Sequence, residues 1–272
     1  MSLATIKRST RSWLSGHPRL LQAVFRTLGK PHKEIAVFRS LIRPGDTVLD
    51  IGANTGQYTG LFCHLVGPEG SVHAFEPVPP TFSILKKNLE RHSKECRLVV
   101  NDRALGDSEG TIKMFVSSGR FTEASMVKHA LPLAGETKEY DCRVTTADRY
   151  ARENDLRVVD LIKCDVEGAE LPALKGALGL LKSKHPPLIF LEAWDGWTAD
   201  FGYHPADLFD FLKREAGYEF YHVDRAGLRK FSVNDRLPPE AFPDFLNFLC
   251  IVPSFHKDRF LSLERAGLVV LN

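Results

Sequence analysis

The chain has 272 residues, 43% of them hydrophobic and 26% charged, with a formal net charge of +2. That length suits one large α/β domain or two small ones with a sizeable core, and so small a net charge provides no global field to recruit nucleic acid. Five scattered cysteines (Cys63, Cys96, Cys142, Cys164, Cys250) form no C-x-x-C. They argue against a disulfide framework and a structural zinc site, and fit a reducing, cytoplasmic compartment.

Charge is unevenly spread. Residues 1–33 carry Lys7, Arg8, Arg11, Arg19, Arg26, Lys30 and Lys33 with no acid, which leaves the remainder mildly acidic. No apolar run reaches the ~18 residues of a transmembrane segment. The basic start lacks the apolar core of a secretory signal, although its Arg and Ser content has something of a transit peptide. "LLQAVFRTL" reads instead as a short amphipathic helix packed on the domain. Residues 1–40 are therefore assigned as an N-terminal helical extension and 41–272 as one domain.

From residue 46 short apolar runs alternate with helical periods. "TVLDIG" predicts a buried strand, followed by a helix with Tyr58, Leu61, Phe62 and Leu65 on one face and Gly67 as its stop. "SVHAFEP" predicts a second strand. Pro79 and Pro80 open a helix with Phe82, Leu85 and Leu89 on its apolar stripe, and "CRLVVND" predicts a third strand. Residues 107–147 break this rhythm: "TIKMFV" and "YDCRV" predict a hairpin around a polar stretch with Ser117, Ser118, Gly119 and Gly135. The alternation resumes with "LIKCD", a helix through Leu171, Leu174, Leu178 and Leu181, and the strand "LIFLEAW". A helix through Leu208, Phe211 and Leu212 ends near Gly217, and the strands "YEFYHV" and "NFLCIVP" close the chain. Such alternation implies a mostly parallel sheet covered on both faces, here with one hairpin insertion at 107–147.

"VLDIGANTGQYTG" (48–60) raises a chemical question. A strand that leaves through Asp50, Gly52, Asn54 and Gly56 into a helix allows close approach of a ligand, free N–H groups and an acid at one rim. In open α/β sheets that rim is the ligand-binding edge. The spacing G-x-N-x-G departs from the dinucleotide fingerprint G-x-G-x-x-G, and Asp50 with a side-chain amide suits a cationic or amino-acid-like ligand end. Glu76, closing the second strand, is placed to accept both hydroxyls of a ribose. Asp102, after the third strand, is placed to accept an adenine amine.

"VLDIGANTGQYT", "HAFEPVPPTF", "NDRALGDSEG" and "LIKCDVEGAELPALKGA" together resemble the motifs of the FkbM-type S-adenosylmethionine-dependent methyltransferases. The resemblance covers roughly residues 34–195, with "NFLCIVP" similar to the last strand of that fold; "IKCDVEGAE" is its most specific part. It implies a class I methyltransferase (Rossmann-like) fold, seven-stranded with an antiparallel last strand and helices on both faces. It further implies that Asp50, Gly52, Asn54 and Gly56 cradle the methionine end of S-adenosyl-L-methionine, that Glu76 holds the ribose and that Asp102 lies near the adenine. Asp165 and Glu167 would then stand beside the transferable methyl group as catalytic residues. Cys164 stands where the family has an aliphatic residue.

Methyl transfer to a hydroxyl needs the acceptor oxygen held in line and its proton removed. Asp165, at a strand end on the rim, is the preferred base, with Glu167 sharing the role or binding substrate hydroxyls. Both acids also suit a helix N-terminus, and Glu192 is a further candidate for the pocket. Mg²⁺ held by this pair is possible but not expected. Trp194, Trp197 and His222 sit near enough in sequence to contribute to substrate contact. The expected acceptor is a small molecule, sugar or glycan, and no nucleic acid is expected. An NAD-dependent oxidoreductase or a non-catalytic nucleotide-binding module on the same fold are the competing readings.

Overall fold

The computed structural model describes residues 33–117, 124–125, 137–224, 226–232 and 247–270. "LLQAVFRTL" lies outside the described residues, as does most of the insertion's polar tip. Helix α1 (Lys33–Leu41) crosses the boundary placed at residue 40 and buries Val37, Phe38 and Leu41. The Phe38 ring meets Phe62 edge-on at 4.9 Å. Burying a ring of that size contributes ~1.5–3 kcal/mol, so α1 is part of the core.

The strands in the middle of the main sheet are short and buried along nearly their whole length. Strand β1 (Thr47–Ile51) leads to α2 (Gln57–Val66), β2 (Ser71–Phe75), α3 (Pro79–Leu89) and β3 (Arg97–Asn101). Next come β4 (Arg103–Leu105), β5 (Gly110–Ser117), β6 (Ala124–Ser125), β7 (Thr137–Thr145) and α4 (Ala147–Glu153). The second half runs β8 (Leu161–Cys164), α5 (Glu170–Lys175), α6 (Leu178–Leu181), β9 (Leu188–Glu192), α7 (Asp195–Thr198) and α8 (Pro205–Ala216). It ends with β10 (Glu219–Val223), β11 (Leu228–Phe231), β12 (Asn247–Ile251) and α9 (Pro253–Arg265).

The main sheet has the order β11-β10-β12-β9-β8-β1-β2-β3. Pairing is parallel from β3 to β9, whereas β12 runs antiparallel to both β9 and β10. Side chains alternate between two cores. Leu49, Ile162, Ile189 and Phe248 enter one face, and Val48, Leu161, Leu188 and Leu249 the other. Helices cover both, as the alternation implied.

Three expectations need correction. Among the described residues the main sheet has eight strands, not seven, because β11 folds back on β10 as a polar edge strand. Its Arg229 and Lys230 are exposed, so "LRKF" carries no apolar run to signal it. The chain does not close with "NFLCIVP", since α9 begins at Pro253, whose fixed φ suits a first helical turn. The helix expected through Leu171–Leu181 breaks into α5 and α6. The Gly176 carbonyl accepts the Asp148 N–H of α4 at 2.9 Å, while the Asp148 carboxylate accepts from Gly179 and Leu180 N–H at 2.7 and 2.9 Å. A Cβ on Gly176 would stand 1.9 Å from the Gly106 carbonyl oxygen, so only glycine fits that junction.

The insertion's β5, β6 and β7 join β4, just before it, in a separate sheet of order β4-β7-β5-β6, with the β5–β7 hairpin in antiparallel register from Gly110↔Val144 to Ser117↔Thr137. All five cysteines are buried and free. Among the described residues no helix is long and apolar enough to cross a membrane.

Candidate active site

Parallel pairing brings the carboxyl ends of β1, β2 and β8 side by side, where the strand order reverses direction between β1 and β8. There a cleft of about 230 Å³ opens, lined by Gly52, Asn54, Glu76, Asp107, Glu109, Asp165 and Glu167. Phe75, Leu105, Ile112, Met114 and Val144 supply its apolar walls, so the base of the insertion forms one side.

The glycine turn spends its own N–H groups internally. Gly52 and Ala53 donate to the Phe75 carbonyl at 3.1 and 2.9 Å, and Gly56 donates to Ala53 at 2.9 Å. Asn54, at φ 52°, donates to Glu76 Oε2 at 3.1 Å. These four N–H groups are therefore held by the β2 end and by the turn itself. Glu76 is 6% exposed, with Oε1 accepting from Val78 N–H at 3.0 Å. Each carboxylate oxygen thus holds one backbone donor and keeps acceptor capacity toward the cleft. Burial pushes the Glu76 carboxyl up to about 7, against the opposing pull of the Val78 and Asn54 hydrogen bonds.

Asp50 is fully buried and accepts from the Thr59 hydroxyl at 2.6 Å. It lies beneath the turn and does not line the cleft. Its cross-strand partner in β8 is Lys163, which is 4% exposed. Lys163 Nζ stands 3.5 Å from Asp50 Oδ1 and 3.4 Å from Asp165 Oδ2, and donates to the Gly52 carbonyl at 3.0 Å. Burial opposes the lysine's charge, but Asp165 and Asp50 outweigh it and raise its pKa above the ordinary value.

The loop after β8 places Asp165 and Glu167 on the rim, Glu167 at φ 52° and Gly168 at φ 106°. Its shape depends on Glu170, which is 2% exposed. Glu170 Oε1 accepts from Val166 N–H at 2.9 Å, Oε2 accepts from Gly168 N–H at 3.1 Å, and the Tyr203 hydroxyl donates to the Gly168 carbonyl at 2.7 Å. Burial raises the Glu170 carboxyl to about 7. Glu192, at the end of β9, is buried among acids. Desolvation first, then Asp165, Glu170 and Glu167, push it up to about 10.

The structure brings Gly52, Asn54, Glu76, Asp165 and Glu167 to one cleft. Gly56 sits behind it at the start of α2, where a Cβ would meet Leu85 at 2.9 Å. Asp102 is not brought to the cleft. The chain turns sharply from β3 into β4 there, and the carboxylate accepts from Arg143 of β7 at 2.6 Å. Leu105 and Gly106 occupy the wall instead. His222 is buried on β10 against Phe248, at 5.4 Å between ring centroids, and does not line the cleft. Trp194, 42% exposed, stacks edge-on with Trp197 at 5.3 Å outside the cleft lining. Sequence reasoning missed Lys163, Glu170 and Tyr203. The second glutamate of "DVEGAE", three residues after Glu167, carried a helix-start signal for Glu170. A lysine inside an otherwise apolar strand was the signal for Lys163. Among the described residues no group of three or more His, Cys, Asp or Glu is arranged to hold a metal ion.

A mostly parallel sheet with β12 reversed between β9 and β10, and a cleft at the β1–β8 switch point, defines the class I methyltransferase fold. Within that class the chain belongs to the FkbM methyltransferase family, whose Methyltransferase FkbM domain matches residues 50–220. It is 32% identical over 162 residues to the 31-O-demethyl-FK506 methyltransferase FkbM of Streptomyces tacrolimicus, covering 50% of this chain and 60% of that one. Methyltransferase 1 of Beauveria bassiana is 30% identical over 164 residues, covering 53% of this chain and 65% of its own. The 2-O-methyltransferase NoeI of Sinorhizobium fredii is 25% identical over 169 residues, covering 54% and 65%. The chain thus spans 60–65% of the length of these relatives, less than two thirds of each. A solved SAM-dependent O-methyltransferase from Thermotoga maritima shows 13% identity and a TM-score of 0.40, with 81% of this chain and 64% of that chain covered.

Proposed function

We propose that this protein is an S-adenosylmethionine-dependent O-methyltransferase acting on a hydroxyl of a small molecule, sugar or glycan. One observation carries the reading: Glu76, Asp107, Glu109, Asp165 and Glu167 line the cleft, and no Lys, Arg or His does so among the described residues. Glu109 is paired with Arg149 and Asp165 with Lys163, and the cleft lining itself stays acidic. Such a cleft suits a ligand with a sulfonium and an ammonium group. It is poorly suited to the pyrophosphate of a dinucleotide, for which the turn also keeps few N–H donors. The O-methyl transfer named for the FkbM and NoeI relatives supports an oxygen acceptor.

When bound, S-adenosylmethionine would supply an electrophilic methyl group on a positively charged sulfur, with the neutral thioether as leaving group. Glu76 would accept the ribose hydroxyls through the lone pairs its backbone donors leave open. Gly52 and Asn54 would face the methionine end, with Asp50 supporting the turn from below. Phe75 and Leu105 would flank the adenine. Asp165 would take the acceptor's proton, a contribution of typically ~10²–10⁴-fold. Glu167 would bind acceptor hydroxyls beside it. In-line positioning of the acceptor can supply a further ~7–11 kcal/mol of the barrier.

Melting curves with S-adenosylmethionine, S-adenosylhomocysteine and NAD test the cofactor class directly. Stabilisation by NAD alone would overturn the proposal. A screen of hydroxylated acceptors with radiolabelled S-adenosylmethionine then identifies the substrate.

A further inference from the structure

Asp50 and Lys163 are direct partners in the β1–β8 register, so the pairing of two central strands places a buried acid beside a buried ammonium. Side chains two apart on a strand share a face, which lets the same ammonium reach Asp165 at the strand's end. Three groups converge on Nζ: the Gly52 carbonyl at 3.0 Å, Asp165 Oδ2 at 3.4 Å and Asp50 Oδ1 at 3.5 Å. Asp50 Oδ1 has no hydrogen-bond partner closer than this ion pair, its other oxygen being taken by Thr59. The Tyr58 ring lies under the ammonium, 5.7 Å from its centroid.

Replacing Lys163 alone by an apolar residue would leave Asp50 buried without its counter-charge, whereas a buried pair replaced as a whole is often no less stable. The geometry of Lys163 does something an apolar residue could not. One end of the contact set is the carbonyl of the turn that faces the cofactor side, and the other is the carboxylate on the acceptor side. We infer that Lys163 is a positioning residue, whose single ammonium sets both the Gly52 turn and the Asp165 carboxylate. What the two sides hold rests on the methyltransferase reading; the coupling between them does not.

Other charged and titratable groups also bear on this pair. Glu76 and Glu192 act on Lys163 from the ends of β2 and β9, and Tyr58 from α2. Glu170 and Glu192 act on Asp165 from α5 and β9, and Glu167 lines the same rim. Lys163 stands within ion-pair distance of both aspartates, and removing its ammonium should change the surroundings of the Asp165 carboxylate.

The test uses Lys163→Met, Lys163→Arg and the double variant Lys163→Met with Asp50→Asn. The double variant removes the buried acid that could prevent the single one from folding. Carboxyl ¹³C NMR of aspartate-labelled protein at fixed pH, with the Asp165 signal assigned through Asp165→Asn, reports the surroundings of that carboxylate without any acceptor. Calorimetry with S-adenosylhomocysteine follows the cofactor side. In the folded Met variant, single or double, the Asp165 signal should move from its wild-type position. Affinity should fall by about fivefold or more, on the order of the loss of one charged hydrogen bond. Lys163→Arg, which keeps the charge, should hold the signal near wild type. A folded Met variant that melts earlier yet keeps the wild-type Asp165 signal or the wild-type affinity overturns the inference. Failure of the methyltransferase reading shows separately, as no binding of S-adenosylhomocysteine by the wild type; the Asp165 signal then decides for Lys163 alone.

Discussion

A Cβ on Gly52 would stand 1.9 Å from the backbone carbonyl oxygen of Asp165. The turn after β1 and the loop after β8 are thus in backbone contact, and Gly52 also holds φ at +77°. Gly52→Ala should destabilise the fold by at least about 2 kcal/mol, from a strained φ plus overpacking against a backbone that has little room to move. Urea titration of the variant reads this as a lower midpoint. An unchanged midpoint would show that β1 and β8 can separate at their ends.

Glu76→Gln is expected to weaken S-adenosylmethionine binding by ~1.5–3 kcal/mol, roughly 10- to 150-fold, by removing a charged acceptor. Isothermal calorimetry on the folded variant makes the measurement, and wild-type affinity would remove Glu76 from the site.

The same carboxyl predicts a pH dependence. Burial raises Glu76 to about 7 in the free protein, and the cationic ligand favours its ionised form. Binding below pH 7 should therefore release a proton, and affinity should rise with pH up to about 7 and then level. Calorimetry in two buffers of different ionisation enthalpy counts that proton.

Asp165→Asn should leave cofactor affinity largely intact while slowing methylation by ~10²-fold or more, if Asp165 takes the proton. Rates across pH with a screened acceptor check it. Thorough chelation with EDTA is expected to leave wild-type turnover unchanged, and lost activity would assign the rim acids to a metal.

Glu192 supplies a stability test. Its folded pKa is raised by burial to about 10, above that of the unfolded chain, so the folded state favours the neutral form. The stability this gives is complete below the unfolded pKa and is lost as pH rises through about 10. Glu192→Gln, a neutral isostere, should flatten the fall in melting temperature between pH 7 and 10. Melting curves at several pH values decide it; parallel curves for the two proteins would mean that Glu192 is already ionised.

Much of this protein is written locally. Each strand of the central sheet is a short apolar run, and each glycine-rich exit marks where a strand must turn. The acids that end successive strands were legible, so Glu76, Asp165 and Glu167 stood out in the sequence alone. Elements without that signature escaped. Strand β11 is polar because it is an edge, and the break between α5 and α6 depends on Asp148, which caps α6 from another helix.

What the sequence alone determined is the alternation of strand and helix, and hence the edge where the acids gather, because periodicity and turn chemistry act over a few residues. Tertiary structure decided which of those acids face the cleft. Asp102 looks as well placed as Glu76 in the chain, yet its carboxylate pairs with Arg143, 41 residues on, outside the cleft lining. Lys163 gained its three partners only through the register of β1 against β8, more than a hundred residues apart. Lateral strand pairing and ion-pair partners are set by how the whole sheet closes over its two cores, and no local pattern carries that information.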